Sequence, residues 1–197
     1  DTLLTVTIGE ETRGYPIRIM NWHEIVNDKF GDAPVLITYC PLCGTGIVFE
    51  RKIDGEEVQF GVSGKLYNSD LLMYDRKTDS LWSQITGEAV IGALTGKKLK
   101  LLSADLVTWQ EFKSSFPTAK VLTRDTGVSR DYAYNPYTGY EDTSETLFPV
   151  EKKDNRLSAK ERVIGIEVNG KFKAYPEAKV KERKTINDSF NGTKILL

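Results

Sequence analysis

The chain has 197 residues, 40% hydrophobic and 28% charged, with 27 basic and 28 acidic side chains and a formal net charge of −1. That composition supports one sizeable core, or a large domain with a small one. It excludes recognition by bulk charge, because no long basic run offers nucleic acid or an anionic membrane an electrostatic handle, and no apolar stretch reaches the length of a membrane span. The first residue is Asp1 rather than Met, which reads as a processed or trimmed chain from which any signal peptide or lipid anchor would already be gone.

Strand signals fill the first half. Leu4-Thr5-Val6-Thr7-Ile8 alternates with period two. A short helix is expected over residues 21–27, and residues 35–39 read as a strand. Residues 47–50 and 58–62 flank Asp54-Gly55, a hairpin turn signal. Residues 71–74 and 80–83 flank a polar turn, and residues 90–94 and 98–102 read as a further short pair. A clearer helix is expected from Ser103, a capping residue, to Phe116. Leu106, Trp109, Phe112 and Phe116 recur there at helical spacing as a core-facing stripe, and Pro117 ends it. From 124 to 162 the pattern breaks into a tyrosine-rich stretch with Tyr132, Tyr134, Tyr137 and Tyr140. It is too aromatic for a disordered linker, and we read it as a long ordered loop walling a pocket.

Two segments match at a constant offset of 160 residues. Tyr15-Pro16, Asn27-Asp28, Phe30 and the apolar run at 35–37 correspond to Tyr175-Pro176, Asn187-Asp188, Phe190 and the run at 195–197. Residues 163–197 are therefore expected to be a partial second copy of 3–37, packed on the body of a single 1–197 domain. His23 aligns with Arg183, and the second copy has no counterpart of the cysteines.

The chemistry concentrates in Cys40-Pro41-Leu42-Cys43-Gly44, which holds the only two cysteines. Thiols three positions apart can hold a soft metal, close a small disulfide or do redox chemistry. The following glycine suits the tight turn of a metal knuckle. No second knuckle exists, so a metal site would draw on the single histidine, His23, a carboxylate, Met73 or water. Two thiolates and an imidazole suit zinc or copper(I). The turn Tyr67-Asn68-Ser69-Asp70 places hydroxyl, amide and carboxylate groups between apolar strands. It can line a cleft beside the thiols, or be a turn whose side chains serve its own backbone.

The run YCPLCGTGIVFERKIDGEEVQFGVSGKLYNSDLLMYDRKTDSLWSQITGEA, with NWHEIVND upstream and RDY, NPYTGY, LFPVE and KERVIGI downstream, resembles the bacterial and archaeal family called domain of unknown function 3179. The resemblance covers nearly the whole chain. It implies one continuous fold, export or lipid anchoring, and a natural chain extending past Leu197; it brings no activity with it. By motif position it singles out His23, Cys40 and Cys43, then Asn68, Asp70, Trp82 and Gln84.

The expected fold is thus α+β and β-rich, with antiparallel sheets, two or three helices and a partial C-terminal duplication. The leading functional expectation is an extracytoplasmic copper- or zinc-binding protein, an oxidoreductase in its catalytic version, with Cys40, Cys43 and His23 as ligands. Tyr67, Asn68, Ser69, Asp70, Trp82 and Gln84 would surround that site. The alternative is a non-catalytic extracytoplasmic module with a Cys40–Cys43 disulfide. Its ligand would be a small molecule, a glycan or a protein, and nucleic acid is expected in neither case.

Overall fold

A computed structural model describes residues 1–151 and 153–197. The chain opens with the hairpin β1 (Thr2–Ile8) and β2 (Glu11–Pro16), helix α1 (Ile17–His23), the hairpin β3 (Ile25–Phe30) and β4 (Ala33–Cys40), and β5 (Thr45–Glu50). There follow β6 (Lys52–Ile53), β7 (Glu56–Glu57), β8 (Phe60–Tyr67), β9 (Asp70–Asp75), β10 (Leu81–Ser83), β11 (Ala89–Ile91), β12 (Leu101–Leu102) and β13 (Asp105–Thr108). Helix α2 (Trp109–Ser115) and β14 (Lys120–Val121) complete the regular structure of a first compact unit, Asp1–Glu151. Its larger sheets run β13-β1-β2-β14, β12-β5-β4-β3 and β11-β10-β9-β8. Pairing is antiparallel apart from β14 on β2.

Strand β4 explains the layering. Its residues 34–40 are all buried, so it reads as a continuous apolar run rather than an alternating one. Val35, Ile37 and Tyr39 join Leu4, Val6, Tyr15 and Met20 in one core. Leu36 and Cys40 point the other way, into a core with Phe49, Phe60, Leu71, Met73 and Trp82. The middle sheet is therefore covered on both faces, and Cys40 ends its central strand inside the second core. Burying each large apolar side chain contributes about 1.5–3 kcal/mol.

The β-rich, mainly antiparallel architecture with three helices agrees with the sequence reading, while several boundaries move. The first helix lies at Ile17–His23 rather than 21–27, because Glu24 turns left-handed (φ 58°) and residues 25–30 pair with β4. The second begins at Thr108, not Ser103: Thr108 and Glu111 make a reciprocal capping box, and residues 105–108 extend along β1. Of the expected stripe, Phe112 is buried over Gly14, Phe116 is partly buried, and Leu106 and Trp109 are exposed. The Asp54-Gly55 turn closes only the small hairpin β6–β7. Residues 45–50 pair instead with β4 and β12, and β8 pairs with β9. The expected pairing of residues 71–74 with 80–83 is present in β9–β10. The expected 90–94/98–102 pair reduces to one Glu88–Lys98 bridge, its flanks joining β10 and β5.

The second unit, Lys152–Leu197, contains β15 (Val163–Val168), β16 (Lys171–Pro176), α3 (Glu177–Arg183), β17 (Asn187–Phe190) and β18 (Thr193–Leu196). Its order repeats β1-β2-α1-β3-β4, and its register does too: Ile164 faces Tyr175 as Leu4 faces Tyr15. Tyr15 donates to Asp28 at 2.6 Å, and Tyr175 donates to Asp188 at 2.7 Å. Helices α1 and α3 both end on a residue of positive φ, Glu24 and Lys184. This is a match of local structure; duplication as its origin remains a proposal that it supports.

Candidate functional site: two thiols and a buried carboxylate

The CPLCG segment is the connection between β4 and β5, which pair up to Cys40 opposite Thr45. Gly44 has φ +59° and open space where a Cβ would stand, so backbone conformation, not crowding, calls for glycine here. Thr45 Oγ1 donates to the Cys43 carbonyl at 2.9 Å and pins the turn. The two sulfurs lie 2.9 Å apart, with Cys43 S–H donating to Cys40. That bond, with backbone N–H donors from Cys43 and Leu71, holds the Cys40 thiol below its ordinary pKa. Cys43, whose proton is held in that bond and which faces the charges of Cys40 and Asp70, is pushed up. The pair thus has an acidic, buried member and a protonated, partly exposed member.

Asp70 is the third group. Its Oδ1 lies 3.5 Å from Cys43 Sγ, while Oδ2 accepts from Ser83 Oγ at 3.1 Å and the Ile85 N–H at 3.0 Å. Burial raises its pKa against those donors. One donor atom from each of Cys40, Cys43 and Asp70 falls within 4.8 Å of the others. Packing of one sheet on the other makes this meeting: Leu71, next to Asp70 on β9, packs in the same core as Cys40 on β4.

Two buried polar atoms at this place have no partner among the described residues, Ser69 Oγ and Gln84 Oε1. Ser69 sits in the two-residue β8–β9 turn, where Asn68 and Ser69 both have positive φ (52° and 62°), and its carbonyl lies 3.5 Å from Cys43 Sγ. Gln84 is fully buried; its Nε2 donates to Thr38 Oγ1 and to the Thr45 carbonyl. Unpaired buried oxygens of this kind call for a water or a ligand.

The remaining expected residues have other places. His23 does not join the sulfur–carboxylate group: its Nε2 lies 2.6 Å from Tyr132 Oη, which in turn bonds Thr126 Oγ1 at 2.7 Å. Trp82 is a core pillar, donating Nε1 to Asp75 at 3.0 Å and meeting Phe60 edge-on. Tyr67 is exposed opposite Asp70 across the hairpin. Asn68 Oδ1 accepts the Glu151 N–H at 2.9 Å.

The tyrosine-rich stretch does close over this side of the unit. Residues 122–151 carry no strand or helix, yet Tyr132 and Tyr140 are buried. Asn21 donates to Asn135 at 3.0 Å, and Trp22 Nε1 donates to the Tyr134 carbonyl at 3.2 Å. Tyr140 Oη donates to the Leu42 carbonyl, inside the CPLCG turn, at 3.2 Å. Burial raises the pKa of Glu24, and that of Tyr137 is raised by burial, by Glu24 and by the Cys40 charge. Sequence reasoning missed Glu24. Its only signal was its place beside His23, one residue before a strand that pairs with β4.

His23 carries a testable consequence. Burial, then Arg130, lowers its pKa from 6.5. The folded protein therefore binds fewer protons than the unfolded chain between that lowered value and about 6.5. This contribution to stability is full above about pH 6.5 and is lost as pH falls through the window. His23→Gln is expected to flatten that part of the slope, read as urea midpoints of variant and wild type across the window. Parallel slopes in the two proteins would contradict it.

A family model described as Protein of unknown function (DUF3179) matches residues 1–197. No curated protein and no solved structure matches the chain.

Proposed function

Since the chain belongs to the DUF3179 family along its whole length, we propose from its geometry that it binds one zinc or copper ion through Cys40, Cys43 and Asp70. The observation that carries this is the convergence of two sulfurs and a carboxylate oxygen within 4.8 Å, with the Cys40 thiol held below its ordinary pKa by the Cys43 S–H and by backbone N–H donors. Bonds of about 2.3 Å to sulfur and about 2.0–2.2 Å to oxygen span such a group. In tetrahedral geometry those bonds set sulfurs about 3.8 Å apart, so binding would spread the pair from 2.9 Å. Three protein ligands leave a fourth position for water or a substrate, the arrangement of a catalytic rather than a purely structural ion. Sulfur ligands favour copper(I) or zinc over magnesium or calcium.

An extracytoplasmic location, expected from the family resemblance, belongs to the same proposal. It would put the thiols where disulfide formation competes with metal. The short sulfur–sulfur distance favours that second reading, a binding module with a Cys40–Cys43 disulfide. Titration of the reduced protein with zinc and with copper(I), alongside a free-thiol count of protein purified without reductant, separates them. Saturation at one ion per chain with loss of both reactive thiols supports the metal site. A chain with no free thiols and no bound metal supports the disulfide.

A further inference from the structure

We propose that the segment from Arg130 to Tyr140 is a cap that controls exchange at the thiol–carboxylate centre. This rests on that centre being the working site, though not on the identity of its ion.

The segment has no backbone ladder to hold it, so its position depends on side chains. Most of its residues are exposed, and two phenols act as pegs. Tyr132, 4% exposed, bonds His23 at the end of α1, and Tyr140, 8% exposed, bonds the Leu42 carbonyl next to Cys43. Between the pegs lies Tyr137, partly buried, its pKa raised by burial and by the Glu24 and Cys40 charges. The second peg therefore sets this end of the segment against the thiol turn. A loop held by a few polar contacts, without strand pairing, belongs to the low-stability end of a fold and opens far more readily than the strands beneath it. Cys43, the partly exposed sulfur, is where a departing ion or an incoming thiol-reactive molecule would enter. A cap that supplies no ligand must change association and dissociation rates together and leave equilibrium affinity alone.

The test removes both peg hydroxyls and keeps both rings, in Tyr132→Phe/Tyr140→Phe. Two measurements are made on the reduced protein: zinc transfer to an excess of chelator, and reaction of the Cys40/Cys43 pair with an aromatic disulfide in the metal-free form. Both rates are expected to rise about ten- to thirtyfold, as expected for losing the two hydrogen bonds that tie the segment to His23 and Leu42, with zinc affinity within about threefold of wild type. Unchanged rates in both assays overturn the cap. So does a fall in zinc affinity with an unchanged association rate, because the loop would then help to hold the ion. If the wild type binds no zinc, the metal reading fails and the thiol rate alone decides the cap. Urea midpoints guard against general loosening. If the double variant unfolds early, Asn135→Ala, which removes the bond to Asn21, is measured in its place.

Discussion

Cys40→Ser is expected to reduce bound metal from one ion per chain to none. A serine hydroxyl can still accept the N–H groups of Cys43 and Leu71 that now serve the sulfur, so the fold should survive. The cost of exchanging a buried thiol for a hydroxyl is about 1–3 kcal/mol. A hydroxyl is not a soft ligand, and Cys43 with Asp70 alone would bind zinc or copper(I) far more weakly. Cys43→Ser should lose metal equally with a smaller stability cost, because Cys43 is partly exposed. Asp70→Asn should retain both thiolates and lose at least about tenfold in affinity, since removing even a group that only orients a ligand costs about ten- to a hundredfold. Elemental analysis, with circular dichroism to confirm folding, reads all three. Full metal in folded Cys40→Ser protein would contradict the assignment.

Trp82→Ala is expected to be the most destabilising single substitution of this set, by about 3–5 kcal/mol for a fully buried tryptophan. Against a total of about 5–15 kcal/mol for a domain, that is a large share. The indole fills the core between β4 and β9 and donates to Asp75, a fully buried carboxylate that also accepts from Thr78 Oγ1 and from the N–H groups of Lys77 and Thr78. Because Ser83 and Gln84 follow it on the chain and hold Asp70 and the Thr45 carbonyl, metal affinity should fall with stability. Trp82→Phe should recover most of the packing and forfeit about 0.5–1.5 kcal/mol for the hydrogen bond. Urea unfolding of the three proteins checks the order. Equal midpoints for wild type and Trp82→Ala would show that the pillar supports nothing.

What could be read from the sequence follows from what is local. The apolar run ending at Cys40, the glycine after Cys43 and the polar turn at 67–70 each announce themselves within a few residues, and each occupies the expected kind of structure. The tyrosine-rich stretch was legible as an ordered wall because its composition demands a surface to pack on. The helix start at Thr108 was not, although Thr108 and Glu111 spell a capping box. Ser103 competes with it locally, and the pairing of 105–108 with β1, which decides between them, joins residues about a hundred positions apart. The same reason hid the third member of the thiol–carboxylate group. His23 is the conventional partner for two thiols, whereas Asp70 reaches them only because β9 lies against the core face of β4. Tyr132, more than a hundred residues away, occupies the imidazole instead.

X-ray absorption at the metal edge of zinc-loaded, reduced wild-type protein tests the ligand set most directly. The expected spectrum has two sulfur neighbours at about 2.3 Å and one or two oxygen neighbours at about 2.0–2.2 Å, without the outer-shell scattering of an imidazole ring. An imidazole signature would restore His23 as a ligand in place of Asp70. A protein that takes up no zinc, or holds it without sulfur, would contradict the site altogether.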